Sequence, residues 1–153
     1  VPAQHRQLEG MEVDMNTPPI QGIVETCLYV DDLEEARAFF EDVLALRLLM
    51  ASEGMCVFAA GTCQNLLVFR RGWCEDDKPY PGGMIPGHHG EGPAHMAFHV
   101  AIGDYDAWKA FLVDRGIPII SEVTFDKGGR SLYFNDPAGN VLELATPGHW
   151  ANF

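Results

Sequence analysis

The chain is short of basic residues, of paired cysteines and of long apolar runs. Its 153 residues hold 10 Lys and Arg against 22 Asp and Glu, a formal net charge of −12, and the only adjacent basic pair is Arg70-Arg71. Such a balance argues against a nucleic-acid backbone or an anionic membrane surface as partner. No stretch approaches the roughly 18 consecutive apolar residues of a membrane span, and the N-terminus lacks a basic-then-apolar signal pattern. The sequence therefore reads as soluble and cytoplasmic. The four cysteines, Cys27, Cys56, Cys63 and Cys74, form no CxxC pair and no repeated spacing. Neither a zinc ribbon nor a disulfide framework fits, and reduced thiols are expected. What is present is an ordinary globular composition, 47% apolar and 21% charged, at the length of about one domain.

Residues 1–19 show no period before ending in Pro18-Pro19, and read as an N-terminal extension or expression remnant outside the fold. From Ile20 the pattern becomes regular and occurs twice. Glu25–Val30 is strand-like, Asp31-Asp32 can cap a helix over Leu33–Leu46, and strands are expected at Leu46–Ser52, Met55–Ala60 and Asn65–Arg70. In the second half His95–Val100 is a strand, and Asp104 can cap a helix over Tyr105–Arg115 that ends at Gly116. Strands follow at Ile117–Phe125, Arg130–Asn135 and Asn140–Ala145, with Asp136-Pro137-Ala138-Gly139 as a turn. The expected fold is α+β, with two tandem βαβββ modules at 20–70 and 93–147 and a tail at 148–153. The intervening residues 71–92, rich in Gly and Pro, read as a loop, and their His88 and His89 as solvated.

Strand side chains alternate between faces. Glu25, Cys27 and Tyr29 share one face, opposite Leu28 and Val30. His95, Ala97 and His99 share the equivalent face of the second module, opposite Met96, Phe98 and Val100. Glu143 stands opposite Leu142 and Leu144. With the apolar sets given to the helices, the other face collects Glu25, His95, His99 and Glu143, together with Ser131 and Tyr133. Glu25 and His95 occupy equivalent places, five residues before Val30 and Val100, and Glu143 falls opposite Leu67 or Val68. A carboxylate inside Val-Leu-Glu-Leu-Ala must be paired, protonated or bound to a metal, because stranding it costs several kcal/mol.

Glu25-Thr-Cys-Leu-Tyr-Val-Asp-Asp-Leu, Gly92-Pro-Ala-His-Met-Ala-Phe and Ser131-Leu-Tyr-Phe-Asn-Asp-Pro-Ala-Gly-Asn-Val-Leu-Glu-Leu resemble the vicinal oxygen chelate superfamily, over about Ile20 to Pro147. Its members include glyoxalase I, fosfomycin-resistance proteins, extradiol dioxygenases and bleomycin-binding proteins. The resemblance implies paired βαβββ modules forming an open, cup-shaped mixed sheet around a divalent metal. It places the metal ligands at Glu25, His95 and Glu143. Two carboxylates and one imidazole suit Mn²⁺, Fe²⁺, Zn²⁺ or Ni²⁺. It also implies a homodimer, since short two-module chains often build their cups from modules of two subunits.

The expected activity is a metal-dependent, glyoxalase-like lyase or isomerase reaction on a small substrate with adjacent oxygen functions. Glu25 or Glu143 would take the proton from carbon, with His99 and Tyr133 transferring protons or orienting substrate. Ser131, Arg130 and Cys27 are candidate substrate contacts, Arg130 through its fork of donors to a carboxylate. Pocket shape is expected to depend on Cys27, Tyr29, Phe58 and Trp73. The alternatives are an extradiol-type Fe(II) dioxygenase, disfavoured by Glu25 where His is usual, and a metal-free small-molecule binding protein of the bleomycin-resistance type.

Overall fold

The computed structural model describes residues 18–148 and 150–153. The extension read at 1–19 lies outside the described residues except for its last two. Ten strands and two α-helices follow in the order β1 (Glu25–Val30), α1 (Leu33–Asp42), β2 (Arg47–Ala51), β3 (Met55–Ala59), β4 (Asn65–Arg70), β5 (Lys78–Tyr80), β6 (Gly83–Ile85), β7 (His95–His99), α2 (Tyr105–Asp114), β8 (Ser121–Thr124), β9 (Arg130–Asn135) and β10 (Val141–Ala145). Two four-stranded sheets have the same topology, β1-β4-β3-β2 and β7-β10-β9-β8. In each, the first and last strands are parallel and the other pairs antiparallel. The mixed α+β fold expected from the repeat is present.

Local signals account for most boundaries. Asp32 caps α1 by accepting from the Glu35 N–H at 2.9 Å. The helix stops at Asp42, short of the expected Leu46, because Ala45 takes a left-handed conformation (φ 51°) and the Leu46 N–H turns back to the Phe40 carbonyl. Gly116 ends α2 at φ 69°, with the Gly116 N–H on Val113 O and the Ile117 N–H on Leu112 O, the paired bonds of a Schellman motif. Asp104 makes no side-chain cap, because a 3₁₀ turn over Ile102–Asp104 already carries the chain into the helix. Residues 71–92, read as a loop, contain the β5–β6 hairpin. The strand read at Ile117–Phe125 forms only over Ser121–Thr124, after Pro118, which has no N–H to give a ladder.

One core joins both sheets. Leu28, Val30, Phe58, Leu66 and Val68 of the first and Leu132, Phe134, Leu142 and Leu144 of the second belong to a single buried cluster with Phe40 and Leu112 of the helices. Phe39 of α1 meets Phe134 of β9 at 6.5 Å between ring centroids. The helix-side faces are thus turned toward a shared interior, and the open faces look away from it. Phe58, expected near a pocket, is wholly buried on the helix side. No helix among the described residues is long and apolar enough to cross a membrane.

Candidate functional site

The registers fix which residues share a row. Glu25 pairs with Asn65, Cys27 with Leu67 and Tyr29 with Phe69 across β1 and β4. His95 pairs with Val141 and Ala97 with Glu143 across β7 and β10. Glu25 and His95 are therefore equivalent, and the counterpart of Glu143 is Leu67, not Val68. Across β9 and β10, Glu143 faces Tyr133 and Ala145 faces Ser131.

Four of the candidates meet on the open face of the second sheet. His95 Nε2 lies 3.2 Å from Glu143 Oε2, with the imidazole about half exposed (52%) and the carboxylate buried (7%). The other ring nitrogen, Nδ1, is 3.0 Å from the Val141 carbonyl oxygen. A carbonyl only accepts, so Nδ1 carries a proton, and Nε2 is the ring nitrogen turned toward the carboxylate. The buried Ser131 hydroxyl donates to Glu143 Oε1, leaving Oε2 for the His95 side. Tyr133 completes the group, its ring 6.2 Å from that of His95. Burial and the Glu143 carboxylate together push the Tyr133 phenol above its ordinary range.

This donor set fits a divalent cation. Nitrogen and carboxylate donors bound at roughly 2.0–2.2 Å with inter-ligand angles between octahedral and tetrahedral stand about 3.0–3.4 Å apart, and the observed spacing is 3.2 Å. An imidazole donating its far N–H to a backbone carbonyl, and a carboxylate held by a hydroxyl, are the supports that orient metal-binding side chains.

Glu25 is not part of the group. Among the described residues no three His, Cys, Asp or Glu side chains converge as a cation site. Glu25 instead lines a cavity of about 810 Å³ with Asn65, Met96 and His99. The expected set of Glu25, His95 and Glu143 is thus divided within one chain: Glu25 shares its cavity with Ala97 and His99 of the second sheet, but not with His95 or Glu143. His99 lies on the open face, its ring edge-on to Phe153 at 4.6 Å.

Two expectations need correction. Arg130 lies on the helix side of β9, pairs with Asp106 at 3.0 Å and covers the Tyr105 ring at 3.7 Å, so its fork is not offered to a substrate on the open face. His88 is half-buried rather than solvated, with Nδ1 2.6 Å from the Tyr29 hydroxyl and 3.6 Å from Cys74 Sγ, while His89 is exposed. The sequence marks Tyr29 and Trp73 as pocket candidates, but no local pattern links residue 29 to residue 88. Cys27 stays on the open face between Glu25 and Tyr29, its thiol pushed up by burial first and by Glu25 second.

Comparison with known proteins agrees with this architecture. Residues 22–144 match the family model of the glyoxalase/bleomycin resistance protein/dioxygenase superfamily. A metallothiol transferase FosB of Staphylococcus saprophyticus is 27% identical over 128 residues, 83% of this chain and 78% of the relative. The crystal structure of a lactoylglutathione lyase from Agrobacterium tumefaciens superposes with a TM-score of 0.80 at 31% identity, over 88% of this chain and 99% of that one. The fosfomycin resistance protein FosX of Mesorhizobium loti shares the fold, with a TM-score of 0.57 at 23% identity over 84% of this chain and 93% of that one. With a family match spanning both four-stranded sheets, the chain belongs to the glyoxalase/bleomycin resistance protein/dioxygenase superfamily.

Proposed function

We propose that the protein is a metal-dependent enzyme of the vicinal oxygen chelate type, a lyase or isomerase acting on a small molecule with adjacent oxygen functions. His95 and Glu143 of one copy and Glu25 of a second would hold the divalent ion. The observation that carries this reading is the His95–Glu143 pair, with its Val141 and Ser131 supports already in place. The division of the set supports assembly from two copies.

A bound divalent ion would supply Lewis acidity toward two substrate oxygens. The side chains do the remaining work. Ser131 holds Oε1 of Glu143, so that Oε2 faces the site. A carboxylate, Glu25 or Glu143, accepts the proton from the carbon beside the oxygen functions. Tyr133, kept protonated by burial and by Glu143, donates a hydrogen bond to a substrate oxygen. Leu67 at the place of Glu143 leaves a set of three protein ligands, not four.

A second reading, transfer of a thiol onto the chelated substrate, is favoured by the likeness to FosB. Elemental analysis of protein purified without added metal, on wild type and on His95→Ala, tests the shared premise. One divalent ion per chain in wild type, lost in His95→Ala, is expected; wild type that neither carries nor takes up such an ion overturns it. Consumption of free thiol with substrate then separates transferase from lyase or isomerase.

A further inference from the structure

The open face of the first sheet is roofed at its Tyr29 end and opens at its Glu25 end into the cavity shared with Met96 and His99. Three rows run along it: Glu25–Asn65–Ala59, Cys27–Leu67–Val57 and Tyr29–Phe69–Met55. Phe69 stands on the open side yet is only 5% exposed. Tyr29 stacks on it at 5.9 Å, Trp73 at 6.3 Å, and His88 packs edge-on at 5.0 Å. His88 is held from several directions. Its N–H donates to the Cys74 carbonyl at 2.7 Å, Cys74 Sγ donates to the His88 carbonyl at 3.3 Å, and the Tyr29 hydroxyl engages Nδ1. Arg71 ties the same segment down, donating to Gly90 O at 2.8 Å and to Tyr29 O at 3.0 Å. Gly90 is needed there, since a Cβ would stand 2.6 Å from the Tyr29 ring. The roof is a fixed wall, not a loose loop.

The middle row is different. Cys27, Leu67 and Val57 are half-buried, and the row they form holds no Asp, Glu, Lys, Arg or His. The corresponding row of the second sheet carries Glu143 and Tyr133. The first sheet therefore presents an apolar floor where the second presents polar groups.

We infer that the substrate carries a short aliphatic tail on its oxygen-bearing end, which lies on Cys27, Leu67 and Val57 and is stopped by the Tyr29–His88 wall. This rests on the reading that Glu25 helps to hold the metal. Successive open-face residues on a strand are about 7 Å apart, so the Glu25 and Tyr29 rows stand about 14 Å apart; with the oxygen-bearing head group over the Glu25 row and the van der Waals surface of the wall taking about half of that, a tail has room for roughly four to five carbon atoms. The substrate class is thus a short-chain hydroxy-carbonyl compound, and long-chain analogues are rejected.

Hydroxamates chelate metals through adjacent oxygens and can be made with tails of any length. Calorimetric titration of the protein carrying its divalent ion with acetohydroxamate, hexanohydroxamate and decanohydroxamate gives a readout independent of turnover. Hexanohydroxamate is expected to bind at least about tenfold more tightly than acetohydroxamate, through burial of its methylenes. Decanohydroxamate should fall at least tenfold below hexanohydroxamate. His88→Ala removes that fall, and His89→Ala, at the exposed neighbour, leaves it. Should His88→Ala not fold, Leu67→Phe decides: raising the floor brings hexanohydroxamate down to the level of acetohydroxamate, whose own affinity is kept. Affinity that climbs steadily to decanohydroxamate in wild type, or a hexanohydroxamate affinity untouched by Leu67→Phe, overturns the inference while leaving the metal site standing. Failure of every hydroxamate to bind overturns both.

Discussion

Ser131→Ala isolates the support of the His95–Glu143 pair. Ser131 is wholly buried and its hydroxyl donates to Oε1 of a carboxylate that is itself 7% exposed. Alanine keeps Cβ and the backbone of β9, so the change is confined to one hydroxyl. A hydrogen bond to a charged group contributes about 1.5–3 kcal/mol to stability. Loss of a group that orients a metal ligand lowers metal affinity about 10–100-fold, or roughly 1.4–2.7 kcal/mol, so the two scales agree. Melting with a chelator present reads the first quantity, and competition against a chelating dye reads the second. Ser131→Ala is expected to lose about 2 kcal/mol of metal-free stability and at least tenfold in affinity. Stability lost with affinity unchanged would show that Ser131 serves the fold alone, and the orienting role would be refuted.

Asn140 ties the last turn to the strand bearing His95: its Oδ1 accepts from the Ala94 N–H at 2.9 Å and its Nδ2 donates to the buried Asp136 at 2.8 Å. Asn140→Ala should lose about 2–3 kcal/mol in denaturant unfolding, and a loss under about 0.5 kcal/mol would contradict the tie. Ala45 adopts φ 51° on an exposed stretch, so Ala45→Gly should stabilise by about 0.5–1 kcal/mol; a lower melting temperature would count against this. The phenolate absorbance of Tyr133, taken as wild type minus Tyr133→Phe, should titrate above the ordinary tyrosine range and move back down in Glu143→Gln, whose neutral side chain no longer opposes ionisation. No movement would mean that burial alone sets it.

Period-two alternation makes the two faces of each sheet legible in the amino-acid sequence itself. Leu28, Val30, Leu142 and Leu144 go to the core as their spacing requires, and Glu143, stranded among them, demands a partner that Ser131 and His95 supply. Helix ends marked by Asp32 and Gly116 are legible for the same local reason. Tertiary choices are not. The sequence pattern leaves Leu67 and Val68 open as counterparts of Glu143, and only the strand registers choose Leu67. Arg130 opens a strand whose parity sends it to the helix side, where Asp106 and Tyr105 receive it. Residues 29 and 88 meet only because the 71–92 segment folds back over β1 and β4, which composition cannot foretell. The separation of Glu25 from His95 depends on how the two sheets are placed side by side, a property of both modules together.

That separation gives the most direct test of the central claim, a metal site completed by a second copy. Glu25→Ala and His95→Ala chains are each purified, mixed in equal amounts through a cycle of dissociation and reassociation, and assayed for tightly bound divalent metal. In a mixed dimer one site carries both defects and the other carries neither. Random pairing makes half of the dimers mixed, so the mixture should hold roughly a quarter of the wild-type metal content while either variant alone holds almost none. A mixture that binds no more metal than its separate components would contradict the account.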